Sequence, residues 1–155
     1  MFDRRMQAEI FPYCRAEQIG VMAYGSLAYG MLSGTFHAGM SFDESAWRSK
    51  SGNLGSLNLF RTLFGREHFQ RNLAAVEELR PLAAKYGKTL PQFALRWTLS
   101  NPVVSTALVG FRAPSEVSEN LGALGWEISG ADMEEVEAIL ARNDAVTVPP
   151  GWLED

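Results

Sequence analysis

Cysteine and histidine are scarce in this sequence, and their scarcity excludes two kinds of site. Cys14 is the only cysteine, so an intrachain disulfide and a zinc site built from cysteines are both excluded. We expect Cys14 to be a small apolar residue of a helix rather than a reactive thiol. His37 and His68 are the only histidines and lie far apart without ligand spacing, so no metal site is predicted.

Basic clusters and long apolar runs are also absent. The formal net charge is -4, and the longest basic run is the pair Arg4 and Arg5, which argues against a nucleic-acid-binding surface. No stretch is long and apolar enough to span a bilayer, and the N-terminal residues lack the apolar region of a signal peptide. A cytoplasmic protein without membrane or nucleic-acid partners is therefore expected.

Two short apolar runs predict the strands. Residues 19–24 and 103–109 are continuous in their apolar character and show no alternation with polar residues. This pattern is typical of strands that are buried on both faces of a parallel sheet.

Two helices are predicted before the second strand from the spacing of their apolar residues. Residues 7–17 form the first, which Gly20 is expected to end. Residues 67–86 form the strongest helical pattern, and Gly87 stands at its C-terminal capping position.

Capping residues mark three further helices. Thr89 opens a capping box before the second strand, while Pro114 and Ser129 open the two helices after it. The helix at Pro114 is expected to turn one apolar stripe inward, formed by Val117, Leu121 and Leu124.

Strands separated by helices indicate parallel β/α units. Two strands cannot cover several long amphipathic helices, so the chain is interpreted as part of a larger α/β fold. Residues 41–65 lack clear periodicity and are predicted to be a long functional loop, and residues 148–155 are predicted to be irregular.

Each predicted strand is followed by a loop that suits an anion. The small residues at 25–30 allow a close approach of the backbone to a phosphate, although a plain glycine-rich turn explains them equally well. After the second strand, Gly110 permits a tight turn, Arg112 offers a guanidinium and Ser115 lies at a helix N-terminus. An exposed arginine on a polar helix face is the alternative there.

Both loops resemble segments of one enzyme family. Residues 24–34, YGSLAYGMLSG, are similar to the YSPLAxGLLTG segment after the seventh strand of aldo-keto reductases. Residues 109–120, VGFRAPSEVSEN, resemble the PGxRxxxQxxEN segment after the eighth strand. The similarity covers nearly all 155 residues, which are interpreted as one incomplete domain: the C-terminal part of a TIM (β/α)8 barrel, with two parallel strands and about five helices.

The resemblance implies an NADP(H) site and a small carbonyl substrate. In the family, the position of Tyr24 stacks on the nicotinamide ring, and that of Arg112 binds the adenosine 2′-phosphate. The positions implied to wrap the pyrophosphate are Gly25, Ser26, Leu27, Ala28 and Gly30. The second loop is implied to add contacts from Gly110, Glu116, Glu119 and Asn120, the last two toward the ribose and adenine.

Three positions depart from the family pattern. Ser26 replaces a proline, Phe111 replaces a small residue, and Glu116 stands where glutamine is common. Glu116 thereby places a carboxylate near the expected phosphate.

The resemblance also indicates what the sequence lacks. The family transfers a hydride to a carbonyl group while a tyrosine, assisted by lysine, aspartate and histidine, supplies the proton, and no segment here matches that tetrad. Tyr13, Tyr29 and Tyr86 stand without such a context, so no catalytic residue is assigned.

Two interpretations follow. The chain is either the cofactor-binding portion of a carbonyl reductase, inactive by itself, or a non-enzymatic module for nucleotide binding or assembly. In both, uncovered strand edges are expected to favour a homo-oligomer.

Overall fold

The computed structural model describes residues 1–40 and 63–145, so most of the predicted 41–65 loop and the C-terminal tail lie outside the described residues. The element order agrees with the prediction, and two short 3-10 helices are added at Arg5–Gln7 and Ala28–Ser33. The helices and strands are α1 (Ile10–Ala16), β1 (Val21–Ala23), α2 (Arg66–Lys85), α3 (Leu90–Leu99), β2 (Val104–Ala107), α4 (Pro114–Leu121) and α5 (Gly130–Arg142).

β1 and β2 form a parallel pair, as the sequence predicts. Val21 is paired with Val104 and Ala23 with Ala107, with an irregularity after Val21. The Leu108 N–H donates to the Ala23 carbonyl at 2.8 Å, which extends the pairing to the carboxyl ends of both strands.

The prediction that both strands are buried on both faces is wrong for the described residues. Val103 and Val104 are buried, but Met22 is 68% exposed, and Tyr24 and Leu108 are also exposed. The reason is that α3 packs against β2 on one face. The described residues leave the other face of the strand pair uncovered.

The core lies between the long helices rather than beside the strands. α2 packs against both α3 and α5, and the second 3-10 helix packs against α2 and α3. The buried residues of the core include most of those with helical spacing: Phe69, Leu73, Val76, Leu79 and Ala83 from α2, Leu90, Phe93 and Ala94 from α3, and Val136, Ile139 and Leu140 from α5. Met31 and Leu32 of the second 3-10 helix lie in a segment predicted to be a loop and are buried in the same core.

The predicted inward stripe of α4 is wrong. Val117 is 38% exposed, Leu121 59% and Leu124 53%. A hydrogen bond joins α4 to α3: the Gln92 Nε2 of α3 donates to the Glu119 carbonyl of α4 at 2.8 Å. Its apolar side chains therefore face away from the helical layer.

Four of the five predicted capping residues lie at helix ends as expected, including Pro114 at the start of α4 and Ser129, whose side chain caps α5. Thr89 and Gln92 form the expected capping box, and Gly87 ends α2 with φ +64°. Gly20 does not end α1: Gln18 takes the left-handed conformation with φ 57°, and the Ile19 N–H donates to the Cys14 carbonyl at 2.8 Å. That hydrogen bond closes a Schellman-type turn two residues before the predicted glycine.

A polar network joins the end of α2 to the start of α5. Asp132 accepts hydrogen bonds at 2.8 Å from Lys85 Nζ, from the Tyr86 hydroxyl, and at 2.9 Å from the Ser129 hydroxyl. These bonds, the one from Lys85 foremost, lower the pKa of Asp132 from 3.8 to about 2.

Acid is therefore expected to weaken this junction. Because the pKa of Asp132 is lower in the folded chain than the ordinary 3.8, its stabilising contribution is present above about pH 4 and disappears as the pH falls toward 2. Asp132→Asn should lower the melting temperature at neutral pH, and the difference from the unsubstituted chain should shrink on acidification. Thermal melts across this range check it. Glu134→Gln, at an exposed position of α5, is the matched control, and a constant difference at every pH would contradict the assignment.

None of the described helices has the length and apolar character needed to cross a membrane.

Candidate functional site

The parallel pairing brings the two predicted anion-binding loops to the same edge of the sheet. Ala23 and Ala107 are register partners at the ends of β1 and β2, and each strand continues directly into its loop. The carboxyl ends of parallel strands are where β/α proteins bind their ligands.

The backbone of the first loop is a tight series of turns. The Ala28 N–H donates to the Gly25 carbonyl at 2.8 Å, and φ is positive at Gly25 (68°), Ala28 (49°), Tyr29 (55°) and Gly30 (101°). Gly25 and Gly30 stand where this conformation favours glycine. Tyr29 and Ala28 adopt it at a conformational cost, which is characteristic of functional loops.

Side chains of the first loop are mostly turned away from solvent. Ser26 is 8% exposed, and its hydroxyl donates to the Ala23 carbonyl at 3.0 Å. Ala28 is buried in the core, and Leu27 is half-buried against it. Contacts from Ser26 and Leu27 to a pyrophosphate would therefore come mainly from the backbone, whereas the Ala28 N–H is already bonded to the Gly25 carbonyl.

Tyr24 is the exposed aromatic ring at the end of β1. Its side chain is 77% exposed and contacts the Tyr29 ring edge-on, with ring centroids 6.1 Å apart. The Tyr29 ring is half-buried, and burial raises the pKa of its hydroxyl. An exposed ring fixed at its edge by a second ring is suited to stacking on a flat ligand.

The second loop presents its arginine to solvent. The Arg112 side chain is 93% exposed, and its Nη2 lies 3.6 Å from Glu116 Oε1. The Arg112 backbone N–H donates to Glu116 Oε2 at 2.7 Å, so one carboxylate contacts both the backbone and the side chain of Arg112. Gly110 is exposed, and an added Cβ there would meet no atom within 4 Å.

The last two predicted contacts lie at the end of α4. Glu119 is exposed and Asn120 is half-buried. The Glu119 carbonyl is already bonded to Gln92, which fixes this end of the helix and leaves the carboxylate toward solvent.

A cavity of about 750 Å³ lies along β1, and the first loop forms part of its wall. Tyr24, Gly25, Ser26 and Ala28 line it, whereas the residues of the second loop do not. The structure thus places four of the predicted contacts at one cavity, and the Arg112 group in the loop after the paired strand β2, outside the cavity lining.

Asp3 and Arg5 also line this cavity, and sequence reasoning missed them. Arg5 Nε donates to Asp3 Oδ1 at 2.8 Å. Burial raises the pKa of Asp3, but the hydrogen bonds from Arg5 outweigh it and hold that pKa below its ordinary value.

The Tyr86 hydroxyl has hydrogen-bond partners that the sequence does not indicate. Lys85 and the Tyr86 hydroxyl both contact the Asp132 carboxylate, although Lys85 alone is adjacent in sequence. The Ser129 N–H also donates to that hydroxyl at 2.9 Å. Tyr86 is packed on Phe93 and Trp126 in the helical layer and does not line the cavity, so this trio is structural.

Within the part of the chain that the structure describes, no group of three histidine, cysteine, aspartate or glutamate side chains is placed to hold a metal ion.

Two curated proteins are similar to this chain over almost its whole length. The chain is 28% identical to aldo-keto reductase YhdN of Bacillus subtilis, covering 99% of this chain and 44% of that protein. It is 32% identical to the NADH-specific methylglyoxal reductase of Escherichia coli, covering 92% of this chain and 41% of that protein.

A solved structure gives the fold. The glycerol dehydrogenase AKR11B4 of Gluconobacter oxydans superposes with a TM-score of 0.78 at 32% identity, covering 97% of this chain and 42% of that chain. The 155 residues therefore span somewhat under half the length of these relatives and form part of a TIM barrel. The family model for the aldo/keto reductases matches residues 1–141, and the chain belongs to the aldo/keto reductase family.

Proposed function

We propose that this chain is the cofactor-binding C-terminal portion of an NADP(H)-dependent oxidoreductase that reduces aldehydes or ketones to alcohols. The observation that carries the proposal is the pairing of β1 and β2, which places the Tyr24–Gly30 loop and the Arg112 loop at one sheet edge. Family membership supplies the reaction class, hydride transfer between a nicotinamide and a carbonyl carbon.

Different residues contact different parts of the cofactor. The exposed Tyr24 ring stacks on the nicotinamide, and the backbone of residues 25–30 receives the pyrophosphate. Gly110 leaves room beside Arg112, which binds the adenosine 2′-phosphate, while Glu119 and Asn120 face the ribose and adenine. The dinucleotide itself supplies the hydride.

Arg112 supports NADP(H), because its guanidinium is exposed and offers bidentate hydrogen bonds to a phosphate. The relative from Escherichia coli is named as NADH-specific, so family membership alone does not decide the cofactor, and we test the choice at Arg112. NADP(H) and NAD(H) differ only in the 2′-phosphate, which makes their comparison a direct probe of Arg112.

Arg112→Gln is expected to weaken NADPH binding about tenfold, since an exposed charged hydrogen bond contributes about 1.5 kcal/mol. NADH binding should change much less. Fluorescence titration of both dinucleotides measures the two affinities. Arg15→Gln removes the same charge from an exposed position on α1 and is the matched control. Equal weakening of NADPH and NADH by Arg112→Gln would contradict a 2′-phosphate contact.

Uncovered apolar side chains favour an assembly role as the second candidate. Met22, Tyr24, Phe111 and Leu121 are each more than half exposed. Exposed apolar groups that form one contiguous patch mark association surfaces. Self-association through the uncovered strand edges therefore stays a prediction. It is compatible with cofactor binding only if the Tyr24 ring stays accessible to the cofactor.

A further inference from the structure

The Glu116 carboxylate lies beside the Arg112 guanidinium. One carboxylate oxygen lies 3.6 Å from Arg112 Nη2, and the other accepts the Arg112 backbone N–H at 2.7 Å. The Glu116 side chain is 37% exposed against 93% for Arg112, so the carboxylate is the more fixed partner of the two.

An anion that binds to Arg112 must share it with this carboxylate. A phosphate monoester carries a charge of about -1.5 to -2 near neutral pH, and its repulsion from a carboxylate about 5 Å away in a water-like medium amounts to about a tenfold loss of affinity. A ribose 2′-hydroxyl at the same place carries no charge, and it can donate a hydrogen bond to the carboxylate.

We propose that Glu116 is a specificity-determining residue that reduces the preference of this site for the 2′-phosphate, so that NADPH and NADH are both bound. The inference rests on the proposed function, since it concerns the same cofactor site. It assigns the attraction for the phosphate to Arg112 and the opposing charge to Glu116, four residues later on the first turn of α4.

The two roles of Glu116 can be separated by substitution. Glu116→Gln removes the charge but keeps an oxygen that accepts the Arg112 N–H, so the loop anchor survives. Glu116→Ala removes both the charge and the anchor. Glu134→Gln makes the same change of net charge at an exposed position on α5 and is the matched control.

The experiment is a fluorescence titration of NADPH and NADH against the full chain and the three variants, at low and high salt. In Glu116→Gln the ratio of NADPH affinity to NADH affinity should rise about tenfold at low salt and by less at high salt. Glu116→Ala should raise the same ratio while weakening both dinucleotides, and Glu134→Gln should leave the ratio where it is.

The outcomes against the proposal are distinct. Measurable binding with an unchanged ratio in Glu116→Gln would overturn the role of Glu116 and leave the proposed function standing. An equal rise in Glu134→Gln would assign the effect to net charge and overturn it as well. Absence of binding of either dinucleotide to every variant would overturn both proposals.

Discussion

NADPH and an aldehyde mixed with the purified chain are expected to show no turnover above the uncatalysed rate. Reduction of a carbonyl requires a proton at its oxygen as the hydride arrives, and a positioned acid accelerates this by about 10²–10⁴-fold. We do not expect the described tyrosines to provide such an acid: Tyr13 and Tyr24 are exposed, and Tyr86 donates to Asp132 inside the helical layer. Lys85 contacts the same carboxylate, which keeps its charge away from the cavity. Tyr29 lines the cavity, but burial raises the pKa of its hydroxyl, which makes it a weaker acid.

The measurement is the aldehyde-dependent loss of NADPH absorbance at increasing chain concentration. Turnover proportional to the amount of chain would contradict the expectation. In that event Tyr24→Phe, Tyr29→Phe and Tyr86→Phe would identify the proton donor, because each removes one hydroxyl and keeps the ring. The turnover rates of the variants are then compared at the same fractional saturation with NADPH.

Phe93→Ala is expected to lower the free energy of unfolding by about 3–5 kcal/mol, the usual cost of removing a buried phenylalanine side chain. Phe93 is fully buried on α3, with its ring centroid 6.1 Å from that of Tyr86 and 6.2 Å from that of Trp126. Since the free energy of unfolding of a whole domain is only about 5–15 kcal/mol, this loss removes a large part of it. Urea unfolding followed by circular dichroism measures the change.

Phe111→Ala is the matched control for the same substitution. Phe111 is 64% exposed, so its truncation should change the free energy of unfolding by no more than about 0.5 kcal/mol. Equal urea midpoints for the two variants would contradict a core centred on α3.

The capped helices were predictable because their determinants are local. The Thr89 capping box and the Gly87 turn each depend on residues within a few positions, and the apolar spacing of α2 repeats over its whole length. The two parallel strands followed from their apolar runs for the same reason. Gln18 in place of Gly20 shows the limit, because a non-glycine residue there accepts a positive φ to close the turn.

Which apolar side chains are covered was not predictable from their pattern. Met22 and Leu121 have the spacing of core residues, yet burial depends on which other elements lie opposite them. The sequence shows that a side chain is apolar but not whether another element covers it. In the described residues, a helix covers one face of the strands alone. The same reasoning applies to the contact of Tyr86 with Asp132, which joins residues 46 positions apart.

The sequence motifs predict which residues form the candidate site, and this stays a prediction; they do not predict its geometry. The motifs located Tyr24, Arg112 and Glu116, and the register of β1 and β2 brings their loops together. Motif spacing carries no information on side-chain direction. The structure alone shows that the Ser26 hydroxyl donates to the Ala23 carbonyl and that Glu116 contacts Arg112 twice.

A nuclear magnetic resonance titration of the isotope-labelled chain with NADPH tests the two-loop cofactor site most directly. The account predicts that the backbone amides of residues 25–30 and of residues 110–120 shift together along one binding curve, because one dinucleotide contacts both loops. The amides at the junction of α2 and α5, around Asp132, should stay unchanged. Shifts confined to one loop, or no shift at millimolar NADPH, would contradict it.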